Sequence, residues 1–236
     1  MAVVKRTPKS DKFNAAENLP FSLRLEDFRL AMQDVYDFLY DVNLLLVGRG
    51  LERLDDMLRP ANLTGTLSDM LTSSLAKHSR TLAVNTFHNG HPDLLIKGQH
   101  ANNAAKAADS GVEIKSTTKK GGAVDTHGGR NQWMCVFVYD VDRESEPAVN
   151  HAPLKFTEVY LEQVKVEDFR KNNRGALGTR TSTLHAQGIK RLRQSWVYLD
   201  LPPVVPRVAK PKAAKRGKAA AATLKYALSR SIPMLS

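Results

Sequence analysis

Three side chains in the middle of the chain have types and spacing suited to chemistry on phosphate esters. Asp93 stands at the start of an aliphatic run, and about twenty residues later Glu113 and Lys115 flank a single isoleucine in the stretch GVEIKSTT. Alternate side chains of an extended strand share a face, so Glu113 and Lys115 lie on one face while the valine and isoleucine beside them point to a core. The pattern predicts a carboxylate and an ammonium held side by side.

A metal site follows if the strands that carry these residues are neighbours, because Asp93 then meets the face of Glu113 and Lys115. Two close carboxylates repel each other, but with Mg²⁺ between them they form a common hard-oxygen site. The backbone carbonyl of Ile114 is a third candidate ligand. Such a metal activates a water and neutralises charge on a phosphate, while the lysine orients that water or stabilises the developing charge. We therefore predict Asp93, Glu113 and Lys115 as catalytic residues, and Asp93, Glu113 and the Ile114 carbonyl as Mg²⁺ ligands.

Simpler interpretations of these residues stay open. Glu113 and Lys115 can be an ordinary cross-strand surface pair, which contributes well under about 1 kcal/mol. Asp109 is a rival acid close to Glu113, and Asp69 on a predicted helix is either a further ligand or a solvated charge. His91, with a second histidine nearby, lacks the ligand spacing of a structural zinc site.

The charge balance points to a polyanionic partner. Lys and Arg number 35 against 24 Asp and Glu, a formal net charge of +11. Nucleic acid is the first expectation and an anionic membrane surface the second. The single cysteine, Cys135, lies in an apolar run and fits a buried residue in a reducing compartment. No apolar segment is long enough for a secretory signal or a bilayer span, so we expect a cytoplasmic protein without membrane contact.

The hydrophobic pattern changes near residue 80 and predicts an α+β fold. Before that point, apolar residues recur at helical spacing over 22–41, 51–58 and 65–80. After it come strand-like segments, at 80–88, 92–98, 112–118, 132–142, 156–166 and 195–201. We predict a helical N-terminal region followed by a central mixed sheet of five to six strands, flanked by helices.

This pattern divides the chain into four parts. We predict a flexible arm over residues 1–18 and a helical region over 19–80. A catalytic sheet core with DNA-recognition loops is predicted over 81–202, and a basic C-terminal tail over 203–236. The 22–41 helix packs on its own sheet or offers Tyr36, Phe38 and Tyr40 to a second copy. The tail, which has no acidic residue between 207 and 230, contacts phosphates through charge alone or only aids solubility.

The order Pro92-Asp93, then Glu113-Ile114-Lys115 on a following strand, resembles the PD-(D/E)XK nuclease superfamily. The segment STTKKGGAVDTHGGRNQWMCVFVY that follows is similar to small type II restriction endonucleases of the PvuII kind, and the likeness spans roughly 62–200. The resemblance implies a restriction-endonuclease-like core, a Mg²⁺ cofactor, a homodimer and sequence-specific cleavage of double-stranded DNA. The hydrolysis it implies uses a metal-activated water.

Two polar segments are the candidate DNA contacts. Donors and acceptors in the loop after Val124 suit base edges in the major groove, and its glycines let the backbone come close. The candidates there are Thr126, His127, Arg130, Asn131 and Gln132. The segment 171–193 suits mainly phosphates, with Asn172, Asn173, Arg180, His185, Lys190 and Arg191 as candidates. A polar surface loop explains the first segment equally well.

Two other functions fit the same sequence. A structure-selective phage or repair nuclease, such as a junction resolvase, uses the same chemistry on branched DNA. A non-catalytic DNA-binding protein needs only the basic tail.

Overall fold

The computed structural model describes residues 3–16, 18–126, 128–171 and 181–201, and these form an α+β structure. Within these ranges the α-helices are α1 (Leu25–Gly48), α2 (Leu54–Met57), α3 (Pro60–His78) and α4 (Ala186–Gln194). The strands are β1 (Leu82–Val84), β2 (Leu94–Ile96), β3 (Val112–Thr117), β4 (Asp125–Thr126), β5 (Gln132–Asp140), β6 (Lys155–Val164), β7 (Phe169–Lys171), β8 (Ser182–Leu184) and β9 (Trp196–Leu199). The tail predicted over 203–236 lies outside the described residues.

Six strands form the central sheet, in the order β1-β2-β3-β5-β6-β9. Strands β3 and β5 pair in parallel and the other neighbours are antiparallel, so the sheet is mixed, as predicted. Each of the six predicted strand segments overlaps one of these strands. A smaller sheet, in the order β4-β8-β7, was not predicted, because its strands are only two or three residues long.

Successive side chains of β3 lie on opposite faces of the central sheet, as the alternation of apolar and charged residues predicts. Val112 and Ile114 are fully buried in the main core, which α1 and α3 form with one face of the sheet. Helix α3 is also joined to β3 by polar contacts: Ser68 Oγ accepts the Ser116 N–H at 3.0 Å, and Ser116 Oγ donates to the Thr64 carbonyl at 2.8 Å. The helical region is therefore one layer over the sheet. It holds β3 through the face that carries Val112 and Ile114.

A second apolar cluster covers part of the opposite face. Its residues come from β5, β6, β8, α4 and the segment before β4: Val124, Met134, Val136, Val138, Tyr160, Val164, Leu184 and Leu192. No residue of β3 belongs to it. Glu113 and Lys115 thus lie on the face that carries the small sheet and α4, next to the second apolar cluster.

The N-terminal segment, predicted as a flexible arm, packs on the sheet. Phe13 forms a β-bridge with Tyr198 on β9, their ring centroids lie 4.8 Å apart, and the Asn14 N–H donates to the Val197 carbonyl at 3.0 Å. Strand β9 is the last strand of the sheet, so its outer backbone groups need partners. The polar composition of the segment concealed this pairing, to which Lys9 adds an ion pair with Asp200 at 3.1 Å.

Helix α1 buries only part of the surface predicted for dimerisation. Tyr36 is buried, and its hydroxyl accepts the Phe156 N–H at 2.8 Å. Tyr40 is half-buried, whereas Phe38 is exposed. Helix α4 lies in the segment predicted to contact DNA, and its Leu192 is fully buried in the second cluster. The basic residues of α4 make its sequence look polar throughout, so the short apolar face of the helix is not evident from the sequence.

A buried guanidinium connects the helical layer to the β5–β6 connection. Arg53 is fully buried, and it donates to the carbonyls of His151 at 2.6 Å and Ala152 at 3.1 Å. Its Nε lies 3.3 Å from Asp55 and its Nη2 lies 2.8 Å from Asp56. The planar guanidinium thus donates to two carbonyls and lies at ion-pair distance from two carboxylates.

We predict that Arg53→Ala lowers the free energy of unfolding by about 3–5 kcal/mol, because it leaves buried carboxylates without their cation. Urea unfolding followed by circular dichroism measures this. Arg59→Ala, which removes an exposed arginine nearby, is the control and should change stability by less than about 0.5 kcal/mol. Equal stability of the two variants would contradict a structural role for the Arg53 cluster.

Candidate active site

The Asp93 carboxylate lies where the β2–β3 ladder ends. Leu94 pairs with Val112, so Asp93 would face Glu113 if the ladder continued. Instead, Asp93 Oδ2 accepts the Ile114 N–H at 2.8 Å and takes the place of a backbone carbonyl. This contact confirms that the two motif strands are neighbours, and it brings the three predicted catalytic residues to one place.

The Ile114 carbonyl points to the same edge. The N–H and C=O of one strand residue are directed toward the same neighbouring strand. Since the Ile114 N–H meets Asp93, its carbonyl is directed to the side of β3 on which Asp93 lies. The predicted set of oxygen ligands therefore lies along a single edge.

Glu113 is held from both sides of its carboxylate. Lys115 Nζ lies 2.6 Å from Oε1, and His91 Nδ1 lies 2.9 Å from Oε2. Only 8% of Glu113 is exposed. The imidazole is at ion-pair distance but not in line for a hydrogen bond, so buried Oε2 has no aligned hydrogen-bond donor among the described residues.

The ionisation of the site reflects its burial and its close charges. Burial first, and then repulsion by Glu113, raise the pKa of Asp93 to about 6. Burial alone would raise the pKa of Glu113, but His91 and Lys115 lower it to about 2. Burial lowers the pKa of Lys115, yet Glu113, Asp93 and Asp69 together raise it above its ordinary value. Near neutral pH the site therefore holds two carboxylates against one lysine ammonium.

These groups fit a Mg²⁺ ion. Mg²⁺ is commonly bound by one or two carboxylates, with waters and substrate phosphates completing the coordination. The available groups are two carboxylates, a backbone carbonyl and a buried Glu113 oxygen without an aligned donor. Among the described residues no three His, Cys, Asp or Glu side chains cluster as a metal site.

The other acids considered for the site differ in position. Asp109 lies in the segment before β3, and Asp93, not Asp109, contacts the β3 backbone. Asp69 lies on α3, and its charge contributes to the raised pKa of Lys115. Asp69 thus adds negative potential to the site without an ion pair to Lys115 among the described residues.

The predicted recognition loop is only partly available to DNA. Arg130 and Asn131 are exposed, although Asn131 Oδ1 accepts the Val166 N–H at 2.9 Å. Thr126 is buried and its hydroxyl donates to the Gly128 carbonyl at 2.7 Å. Gln132 is 8% exposed, with its Oε1 buried and unpaired among the described residues. His127 lies outside the described residues.

The second predicted DNA segment shows the same division. Lys190 is exposed on α4, but His185 caps that helix: its Nδ1 accepts the Gln187 N–H at 3.1 Å, and Nε2 lies 2.7 Å from the Glu167 carbonyl. Arg191 Nε lies 3.2 Å from Asp168. The remaining candidates, Asn172, Asn173 and Arg180, lie outside the described residues.

His91 is the site residue that sequence reasoning missed. Its residue type suggests a zinc ligand, but its spacing does not fit a structural zinc site. A signal was present, because His91 stands two residues before Asp93 and residues two apart in an extended chain share a face. The partner of His91, Glu113, lies far along the chain, so only the fold shows the contact.

Asp93→Asn is expected to stabilise the metal-free protein at alkaline pH. Burial and Glu113 raise the pKa of Asp93 to about 6 from its ordinary value of 3.8, so the contribution of Asp93 to wild-type stability falls as pH rises from about 4 to 6. The variant keeps an acceptor for the Ile114 N–H and lacks this loss. We expect a gain of about 1–3 kcal/mol near pH 8 that vanishes near pH 4.

Urea unfolding in a metal chelator at these two pH values measures the difference. Asp109→Asn, at an acid outside the Asp93–Glu113 contact, is the matched control and should match the wild type at both. A destabilised Asp93→Asn protein near pH 8 would show that the Asp93 charge is favourable in the fold, which is the opposite of the expected direction.

Comparisons with known proteins do not assign this chain to a family. No protein-family model matches it, and no curated protein is similar to it in sequence. Among the described residues no helix is both long enough and apolar enough to cross a membrane. The interpretation of the site therefore depends on its own geometry and charge.

Proposed function

We propose that this protein is a Mg²⁺-dependent, sequence-specific endonuclease of double-stranded DNA, acting as a type II restriction enzyme. The observation that carries the proposal is the convergence of Asp93, Glu113 and Lys115 at one edge of β3, with Asp93 bonded to the β3 backbone. Two carboxylates beside a lysine suit metal-assisted hydrolysis of a phosphodiester. The net charge of +11 suits a nucleic-acid substrate.

Each residue of the site has a defined part in this chemistry. Asp93, Glu113 and the Ile114 carbonyl would hold the metal, with Asp93 kept in place by the Ile114 N–H. A bound Mg²⁺ supplies Lewis acidity toward the scissile phosphate and lowers the pKa of a water. Lys115, whose pKa is raised, stays protonated and can donate a hydrogen bond to the attacking water or to a phosphate oxygen. Its present partner is Glu113 Oε1, so the ammonium must share or leave that contact when substrate arrives.

The face that carries the site also carries surface suited to DNA. Helix α4 and the small sheet lie on this face, and they expose Lys190 and flank exposed Arg130. Basic side chains in these positions suit phosphates, and arginine also suits guanine edges. We therefore place the duplex over β3, with the small sheet and α4 at its side.

A palindromic target would require a two-fold dimer. Exposed apolar side chains in and after α1, Phe38, Leu44, Leu45 and Leu51, are the surface we propose for the second copy. Their exposed fractions are 39%, 55%, 56% and 52%.

Incubation of the protein with plasmid DNA and Mg²⁺, followed by sequencing of the fragment ends, tests the function directly. Discrete fragments with a common end sequence support a restriction enzyme. Cleavage restricted to branched DNA would instead indicate a structure-selective nuclease, and the absence of Mg²⁺-dependent cleavage would leave a DNA-binding role.

We predict that Lys115→Ala lowers the cleavage rate by at least about 100-fold, because it removes the hydrogen-bond donor and positive charge at the reacting phosphate. DNA affinity, measured by gel shift without divalent metal, should change little. Lys97→Ala, which removes an exposed lysine just after β2, is the matched control and should cleave normally. Equal cleavage by both variants would contradict a catalytic role for Lys115.

Lys190→Ala is expected to weaken DNA binding without changing sequence preference. A lysine on one phosphate lowers the slope of log affinity against log salt by about 1 when it is removed. Gln187→Ala, at an exposed neutral position on α4, is the control. An unchanged salt slope for Lys190→Ala would place the DNA away from α4.

A further inference from the structure

His91 contacts the carboxylate of Glu113. In the described structure this is the site carboxylate that has a neighbouring side chain at each of its two oxygens. Its Nδ1 lies 2.9 Å from Glu113 Oε2, while Lys115 occupies Oε1 at 2.6 Å. A carboxylate held at only one oxygen can still turn about its last bond. The imidazole therefore determines the plane in which the Glu113 carboxylate lies.

The backbone that carries the imidazole is fixed by the loop around it. The His91 backbone N–H donates to the Lys106 carbonyl at 3.2 Å, and the His91 carbonyl accepts the Ala108 N–H at 2.8 Å. Asn85 ties the same two segments together, because its Nδ2 donates to the carbonyls of Pro92 at 3.0 Å and Ala105 at 2.8 Å. The long segment between β2 and β3 thus holds the backbone at His91 in place beside β3.

The contact leaves Glu113 able to bind a cation. A carboxylate oxygen has two lone-pair directions, and Oε2 receives no aligned hydrogen bond in the described structure. His91 can therefore keep its contact while Oε2 meets a metal. Outer-shell side chains that hold a metal ligand in its binding orientation raise metal affinity.

We propose that His91 is a positioning residue for Glu113, which holds the carboxylate in the orientation that binds the divalent cation. The inference rests on the proposed function, since it takes Glu113 to be a metal ligand. His91 acts through Glu113 and needs no contact with DNA. The property it controls is metal affinity in the absence of substrate.

Titration of the whole protein with Mn²⁺ alone, with free Mn²⁺ measured by electron paramagnetic resonance, tests this without DNA cleavage. We expect His91→Ala to bind Mn²⁺ about 10–100-fold more weakly than the wild type. His91→Asn places an amide N–H near the position of Nδ1 and should recover most of the affinity. His88→Ala, at an exposed histidine in the same loop, is the control and should bind like the wild type.

The outcomes separate this inference from the proposed function. Failure of the wild type to bind Mn²⁺ overturns both. Wild-type binding with unchanged or tighter binding by His91→Ala overturns the role of His91 alone, tighter binding showing that His91 competes with the metal. If circular dichroism shows that His91→Ala is unfolded, His91→Asn decides: near-normal affinity supports the role, and a folded variant with the loss expected for alanine overturns it.

Discussion

The hydrogen bond from the Ile114 N–H to the Asp93 carboxylate is the contact on which the site depends. It forms where the β2–β3 ladder stops, so a side chain continues the pattern of backbone hydrogen bonds for one more residue. This holds Asp93 next to Glu113 despite their mutual repulsion. The raised pKa of Asp93 is a consequence of burial and of that enforced closeness, whereas His91 and Lys115 lower the pKa of Glu113.

One face of β3 packs in the main core, and the other face carries the side chains of the candidate site. One face buries Val112 and Ile114 under α1 and α3, and Ser116 adds hydrogen bonds to α3. The other face carries Glu113 and Lys115 beside the small sheet and α4. A strand that is fixed from behind can present charged side chains in one orientation, which metal binding and hydrolysis both require. The loop between β1 and β2, which bonds to the segment between β2 and β3, adds His91 to this arrangement.

Polar side chains chosen for DNA contact illustrate the limit of sequence reasoning. Residue types that read bases are also the types that satisfy backbone groups, and composition does not separate the two uses. In the structure, Thr126 and His185 bond to nearby backbone and Arg191 pairs with Asp168, whereas Arg130 and Lys190 remain exposed. Exposure, which only the fold defines, selects the second group as the better candidates for DNA contact.

The sequence by itself determined the six strands of the central sheet, the three N-terminal helices and the shared face of Glu113 and Lys115. These features follow from local periodicity, because the spacing of residues along a helix or strand determines on which face each side chain lies. Tertiary structure decided the partners of Asp93 and His91, the pairing of Phe13 with β9, and the burial of Tyr36 and Gln132. Each of these depends on groups distant along the chain, and a hydrogen bond or a burial between distant groups exists only once the fold has brought them together.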